Sequence, residues 1–527
     1  LLQGTLCCIV TRRRRDMHLP LTIRQLRDSA HFSPAPIPST LFGLAFALAV
    51  AAALRLWKIR YLFNAIHDYD PGTHALAGRY IAEGLLPYRD FVSVHPPLYD
   101  LTLGAIFKLL GYDYYFGPLL SVVFSLASVV LVYFVAQRLY AGRAGIVAST
   151  LFAVEPMMVY FGRRAVQEAM GLFLVLVATI LALRWLDGRR PRTLLWCGVV
   201  LGLAVATKYV FVPIAVGMGC ALLLLSLPQN MWSALRRVGR LRFWCLYGLV
   251  ALVCYALVLF LRIVVGIPAP LPFTDPLFAT PRHIAVSLTV FVVPLLVLWR
   301  WWPNGRMVRA WLDACARTVR AEKLWLLVLG GAVGFLAVTG YFWLVAPRGF
   351  VEQTFLWQTG RMTTEVPSLV GILRLACVSP AFFRVSLLSV VAVVPLSIVL
   401  LNRRDFGRSD CFLVVVIVVT VVLSQGFYQL PRYYGSALLF ALLALAGLAS
   451  RSAAVREEWS RIGVLAVVAV LSTGFVLSLA LSKNYSGYDI ASVGGQTERA
   501  LYDSTNEFLH KAGARKVFAT NPIYPAL

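Results

Sequence analysis

The chain has 527 residues, 59% of them hydrophobic and only 14% charged, with a formal net charge of +25 and a mean hydropathy of +0.76. Apolar runs of roughly twenty residues recur from Ser39 to Leu481. That length crosses about 30 Å of hydrocarbon, which excludes an ordinary soluble fold. A transmembrane β-barrel is excluded as well, because the runs are continuous and lack the period-two alternation of a lipid-facing strand.

In chain order the pattern predicts membrane helices over 40–58, 120–137, 144–161, 167–184, 194–226, 243–265, 284–299, 324–346, 385–401, 411–428, 435–450 and 462–481. The run 194–226 is long enough for two crossings and divides at Lys208, whereas 103–118 is interrupted by Gly111 and Asp113 and reads as an interfacial helix. The expected architecture is an all-α polytopic membrane protein with roughly 11 to 13 transmembrane helices. Three parts are expected: a basic tail over 1–38, a transmembrane domain over 39–483 whose first outer loop spans about 59–102, and the start of a soluble segment over 484–527. The soluble segment reads as an amphipathic helix from Thr497 to Ala512 followed by a strand from Lys516 to Thr520, so a truncated extracytoplasmic α/β domain is expected.

The basic residues decide orientation. Clusters at Arg12 to Arg15, at Arg138 and Arg143, at Arg184 to Arg192, at Arg236 to Arg242, at Arg300 to Lys323, at Arg403 to Arg408 and at Arg451 to Arg461 fall on alternate connections. By the positive-inside rule that side is cytoplasmic, with the N-terminus, while the 59–102 loop and the C-terminus face outward. This placement accounts for the positive excess without nucleic acid. Nine cysteines with no CxxC pair read as small apolar side chains, which removes a disulfide or cysteine-metal framework.

The stretch HDYDPGTHALAGRYIAEGLLPYRDFVSVHPPLY concentrates His67, Asp68, Asp70, His74, Arg79, Glu83, Arg89, Asp90 and His95 between two apolar segments. So many ionisable groups in so apolar a chain predict a water-exposed loop that carries a reaction site. The plainer reading is a turn, since Asp-Pro-Gly is a turn signal and a polar loop needs such residues. Glu168 at a helix start could simply complement the helix dipole. Lys208, amid apolar residues, could snorkel. Arg432 sits in a short outer connection, where the charge rule disfavours it, which points to function.

The order of motifs resembles a known family. Asp70-Pro-Gly, GRYIAEGLLPYRD and HPPLYDL are similar to the first outer loop of GT-C glycosyltransferases related to protein O-mannosyltransferases and lipid A aminoarabinose transferases. YFGRRAVQEAM (Tyr160 to Met170), LGLAVATKY (Leu201 to Tyr209) and LPRYYG (Leu430 to Gly435) resemble that family's later elements. The resemblance implies transfer of a sugar from a polyprenyl-phosphate donor to a protein, lipid or glycan acceptor at the outer membrane surface, with inversion. It implies Asp70 as general base, with Asp68 or Glu168 standing in for the second acid that the family usually has where this chain has Pro71. It also implies His95, Lys208, Arg432, Arg164 and Arg361 as contacts to the lipid phosphate and sugar. No cofactor is certain, and a divalent cation, Mg or Mn, is left open. A transporter or flippase of lipid-linked sugars, or an inactive relative that binds the carrier, are the alternatives, although the halves that a transporter should repeat are not seen.

Overall fold

The computed structural model describes residues 37–57, 59, 70–140, 143–227, 305–357, 386, 407–424, 431–452 and 476. Numbered in chain order among these, the helices begin with α1 (Ile37–Leu56), α2 (Asp70–Ala82), α3 (Leu98–Leu110), α4 (Phe116–Tyr140), α5 (Ala144–Val154), α6 (Pro156–Phe161) and α7 (Glu168–Gly188). They continue with α8 (Pro191–Thr207), α9 (Val212–Ser226), α10 (Gly305–Ala321), α11 (Trp325–Val345), α12 (Pro347–Phe350), α13 (Arg408–Ser424) and α14 (Gly435–Ser452). No strand occurs among the described residues. The all-helical membrane class is therefore met, and among the described residues five stretches are long and apolar enough to cross a bilayer: Phe116–Tyr140, Gln167–Gly188, Tyr209–Ser226, Trp325–Val345 and Arg432–Ser450. The crossings expected at 243–265, 284–299, 385–401 and 462–481, the tail and the 484–527 segment lie outside the described residues.

One continuous apolar core joins α1, α4, α5, α7, α8, α9, α13 and α14 through side chains such as Val132, Phe152, Leu176, Ile214, Phe412 and Leu439. The tightest helix pair is α8 against α11. Gly198, Gly202, Gly330 and Gly334 face the partner backbone so closely that a Cβ at any of them would meet main-chain atoms. Small residues allow this approach where lipid supplies no hydrophobic drive between helices. The outer face of α11, by contrast, is exposed at Trp325, Val328, Val333 and Leu344, as suits a helix bordered by lipid.

Two sequence expectations change. The predicted helix 144–161 breaks at Glu155, which adopts an extended conformation (φ −65°, ψ 126°) and accepts a hydrogen bond from the Met158 amide as N-cap of α6, with Pro156 at the first helical position. The described part of the predicted solvated loop, from Asp70 onward, is partly helical and partly buried: α2 and α3 pack on each other, and Asp70, His74, Ser93 and Asp100 are buried, whereas Glu83 and Arg89 stay exposed. Asp70 leaves water paired with Arg432, and His74 paired with Asp100. The division at Lys208 is found as expected, since α8 ends at Thr207 and Lys208 is extended (φ −161°, ψ 137°) before a short 3-10 turn, Tyr209–Phe211. The interfacial stretch begins earlier than expected, at Leu98, and ends at Gly111 (φ 85°) with Leu109 and Leu110 exposed.

The bundle has two electrostatically different ends. Arg138 pairs with Asp187, Arg189 with Glu322 at 3.3 Å, and Tyr140 donates to Asp410 at one end. The α8 to α9 hairpin returns from Lys208 to Ser226, whose Oγ accepts from Arg189 at 2.7 Å, so Lys208 lies at the opposite end. Single cysteines at the exposed positions Val92 and Arg192 should react with a membrane-impermeant maleimide from opposite sides, Val92 from outside. Reaction of both from one side contradicts the orientation.

A buried charge cluster at one end of the bundle

The site is assembled from five chain segments. Asp70 is the first residue of α2, where the unpaired amides of a helix start favour a carboxylate. His74 follows one turn later on the same face. The connection from Pro87 to Pro97 brings His95, the start of α3 brings Asp100, the α6 to α7 connection brings Arg164, and α7 opens with Glu168. Lys208 stands at the end of α8, and Arg432 in the 3-10 turn before α14.

These groups meet in pairs. Lys208 Nζ donates to Glu168 Oε1 at 2.8 Å, with both side chains nearly inaccessible. Arg432 Nη1 donates to Asp70 Oδ2. Arg164 Nη1 donates to the Tyr160 hydroxyl at 3.0 Å, and its guanidinium lies 4.9 Å from the Tyr160 ring centroid. His74 Nδ1 lies 2.7 Å from Asp100 Oδ1, and the His74 ring is 6.0 Å from His95 and 5.3 Å from Tyr99. Around Arg432, then, stand three cations (Arg164, Lys208, Arg432) and two carboxylates (Asp70, Glu168). Arg432 Nε, Glu168 Oε2 and Ser436 Oγ have no hydrogen-bond partner among the described residues, and all three residues line a small cavity closed by Phe161, Leu172, Val210 and Phe211. Buried polar atoms left open beside a cavity suit a water or a polar ligand.

The field acts differently on each group of the first loop. Burial pushes the Asp70 carboxyl up, but Arg432, then Lys208, His74 and His95, outweigh it and hold the group well below the usual carboxylate range. Burial pulls His74 down, yet Asp100 raises it above the ordinary histidine value by charge and hydrogen bond. His95 is held well below that value by burial, Lys208 and His74, so near neutral pH it is an uncharged imidazole. That state depends on neighbours which the sequence alone does not place beside it. Asp70 likewise opens a buried helix and not an exposed loop. Asp68 and Arg361 lie outside the described residues.

Sequence reasoning did not select several residues that build the site. Arg55 is fully buried, donating to the Ala153 carbonyl at 2.9 Å and to Ser125 Oγ at 2.7 Å. Arg163 donates to the carbonyls of Leu54 and Trp57 at 3.1 and 2.8 Å. Together they satisfy carbonyls at the ends of α1 and α5 that no helix bond reaches, and so fix the connection that presents Arg164 and Glu168. Tyr88 (φ 68°), an unusual backbone state for a bulky residue, is clamped edge-to-face between Phe342 and Phe350, and its hydroxyl donates to the His95 carbonyl at 2.6 Å. Gln353, on the wide π turn Val351–Leu356, accepts from the Ser93 amide at 3.0 Å and donates to the Tyr88 carbonyl at 3.2 Å. The signal for His74 was its i+4 spacing from Asp70; for the others no local pattern exists.

Among the described residues the carboxylates are not gathered into one metal-ligand group. Asp70, Glu168 and Asp100 are engaged separately by Arg432, Lys208 and His74, and among the described residues no group of three or more His, Cys, Asp or Glu is placed to hold a metal ion.

Residues 94–261 match the family model described as dolichyl-phosphate-mannose-protein mannosyltransferase. The resemblance read from the motifs is borne out over that stretch, which contains His95, Arg164, Glu168 and Lys208. No curated protein sequence matches the chain. Among solved structures it is similar to the Archaeoglobus fulgidus oligosaccharyltransferase tethered with an acceptor peptide, at 14% identity and a TM-score of 0.42, over 84% of this chain and 55% of that one. It is also similar to ArnT from Cupriavidus metallidurans bound to undecaprenyl phosphate, at 13% identity and a TM-score of 0.46, over 85% of this chain and 76% of that one. The chain thus spans little more than half the length of the oligosaccharyltransferase it matches.

Removing one member of a buried ion pair strands the other, at a cost of about 3–5 kcal/mol. Lys208→Ala should therefore lower the thermal unfolding midpoint in detergent sharply, whereas Lys208→Met combined with Glu168→Leu should largely restore it. A neutral Lys208→Ala would show that the pair does not hold the bundle.

Proposed function

We propose that the chain is an integral membrane glycosyltransferase that moves a sugar from a polyprenyl-phosphate carrier to an acceptor on the extracytoplasmic side, with inversion at the anomeric carbon. The observation that carries this reading is the cluster of Arg164, Lys208 and Arg432 with Asp70 and Glu168 inside the bundle, in a chain whose residues 94–261 match a family named for a lipid-phosphate sugar donor. Arg and Lys suit a phosphate leaving group, and a buried position strengthens their effect on developing charge.

In the proposed step the acceptor hydroxyl oxygen bonds to the anomeric carbon on the face opposite the phosphate. The bond from that carbon to the phosphate oxygen breaks, its electron pair stays on the phosphate, and the hydroxyl proton passes to the Asp70 carboxylate. Arg432, Lys208 and Arg164 take up the charge on the departing lipid phosphate. Arg432 has two roles in sequence. Without donor it neutralises Asp70, which makes the carboxylate too weak a base. A donor phosphate competes for the guanidinium, so Asp70 becomes a useful base when the substrate is in place. Glu168 orients Lys208, His95 offers one neutral hydrogen bond, and Asp68 and Arg361 complete the expected set from the flanking chain.

The reading is tested by incubating purified, reconstituted protein with a panel of polyprenyl-phosphate sugars and identifying products by mass spectrometry. Asp70→Asn keeps shape but cannot accept the proton, and should reduce turnover about 100- to 10,000-fold while donor binding persists. Arg432→Lys should weaken donor binding, because a single ammonium replaces a planar fork. Asp68→Asn should be mild. Near-normal transfer by Asp70→Asn would remove it as the base, since a turn or cap role tolerates Asn.

A further inference from the structure

The proposed exchange of Arg432 from Asp70 to the phosphate leaves a difficulty. Asp70 is buried, and a carboxylate that loses its counter-ion away from water takes up a proton. A protonated Asp70 cannot act as the base. The groups that act on it are Arg432 from the 3-10 turn before α14, Lys208 from the end of α8, His95 from the loop and His74 from its own helix, with Glu168 at the start of α7 coupled to it as a like charge. Lys208 is bound to Glu168, and His95 is neutral, which leaves His74.

His74 is built for this. It lies one turn beyond Asp70 on α2, so the two side chains share a helix face. Asp100, from α3, binds its Nδ1 at 2.7 Å, which fixes the ring orientation. Tyr99 packs edge-on against the ring at 5.3 Å. Gly78 and Gly104 let α2 and α3 approach closely, with Gly104 set against Ile81 and Gly78 against Leu103 and Phe107, so the His74 to Asp100 distance is held by helix packing. We propose that the His74–Asp100 pair is a built-in reserve counter-ion, a positioning device that keeps Asp70 ionised while Arg432 is engaged by the carrier phosphate. The proposal rests on the transferase reading above and deepens it. The raised proton affinity of His74, caused by Asp100 against the pull of burial, Lys208 and His95, agrees with an imidazolium in that position.

The test is the pH profile of transfer at saturating undecaprenyl-phosphate sugar. Its acidic limb reports protonation of Asp70 in the donor complex. Removing a positive neighbour raises that carboxyl's pKa, so in His74→Gln the limb should move to higher pH by about one unit, roughly a tenfold loss on the acidic side with recovery at alkaline pH. Asp100→Asn should shift it in the same direction by less, and His74→Lys, which keeps a cation, should return it toward wild type. A merely structural role lowers the whole profile without moving the limb. An unshifted limb in His74→Gln, in a wild type that does transfer sugar, overturns the inference and leaves the transferase reading intact. A second readout needs no turnover: infrared difference spectra on adding undecaprenyl phosphate should show a new protonated-carboxyl band in His74→Gln, absent in wild type and absent again in His74→Gln with Asp70→Asn. No such band, with the lipid bound, also overturns it. A wild type that neither transfers sugar nor binds the lipid phosphate overturns the transferase reading and, with it, this inference.

Discussion

Asp70 and Arg432 are 362 residues apart and form one part-buried ion pair. Neither charge is tolerable alone inside so apolar a bundle, because an unpaired buried charge costs several kcal/mol. Pairing therefore draws the start of α2 to the start of α14. Glu168 and Lys208 do the same for α7 and α8. The cluster fastens this end of the bundle, with Arg164, Lys208 and Arg432 set beside Asp70 and Glu168.

The rest of the molecule holds this arrangement in place. Arg55 and Arg163 spend their hydrogen bonds on backbone carbonyls at helix ends, which fixes the turn ahead of Arg164 and Glu168. On the other flank, Tyr88, Phe342, Phe350 and Gln353 lock the first loop against α11 and the π turn. A transferring site gains from such preorganisation, because groups already aimed at developing charge need no rearrangement during the reaction. The opposite end carries Arg138 and Arg189 with their acidic partners at partly exposed positions.

Much of this was legible in the chain, and the reasons differ by feature. Helix class and the α8 to α9 division could be read because apolar run length is a strong signal and Lys208 interrupts one run. Asp70, Glu168, Lys208 and Arg432 stood out because charge is rare here. Pairing was hidden, since nothing local tells Arg432 that its partner is 362 positions earlier. The same blindness hid the burial of Asp70, His74 and Asp100 within the expected watery loop: composition counts charges but not their neutralisation. The charge state of His95 was hidden in the same way, because it depends on burial, Lys208 and His74, which meet it only in the fold. The break at Glu155 is a cap formed inside an otherwise uniform apolar run, and periodicity passes over it.

The central claim is that Arg432 is shared between Asp70 and a lipid phosphate. Affinity for undecaprenyl phosphate, measured on the protein without sugar or acceptor, tests it most directly. Asp70→Asn frees the guanidinium, so the account predicts tighter binding than wild type, lost when Arg432→Gln is added. Equal or weaker binding by Asp70→Asn, or a gain that survives Arg432→Gln, would contradict it.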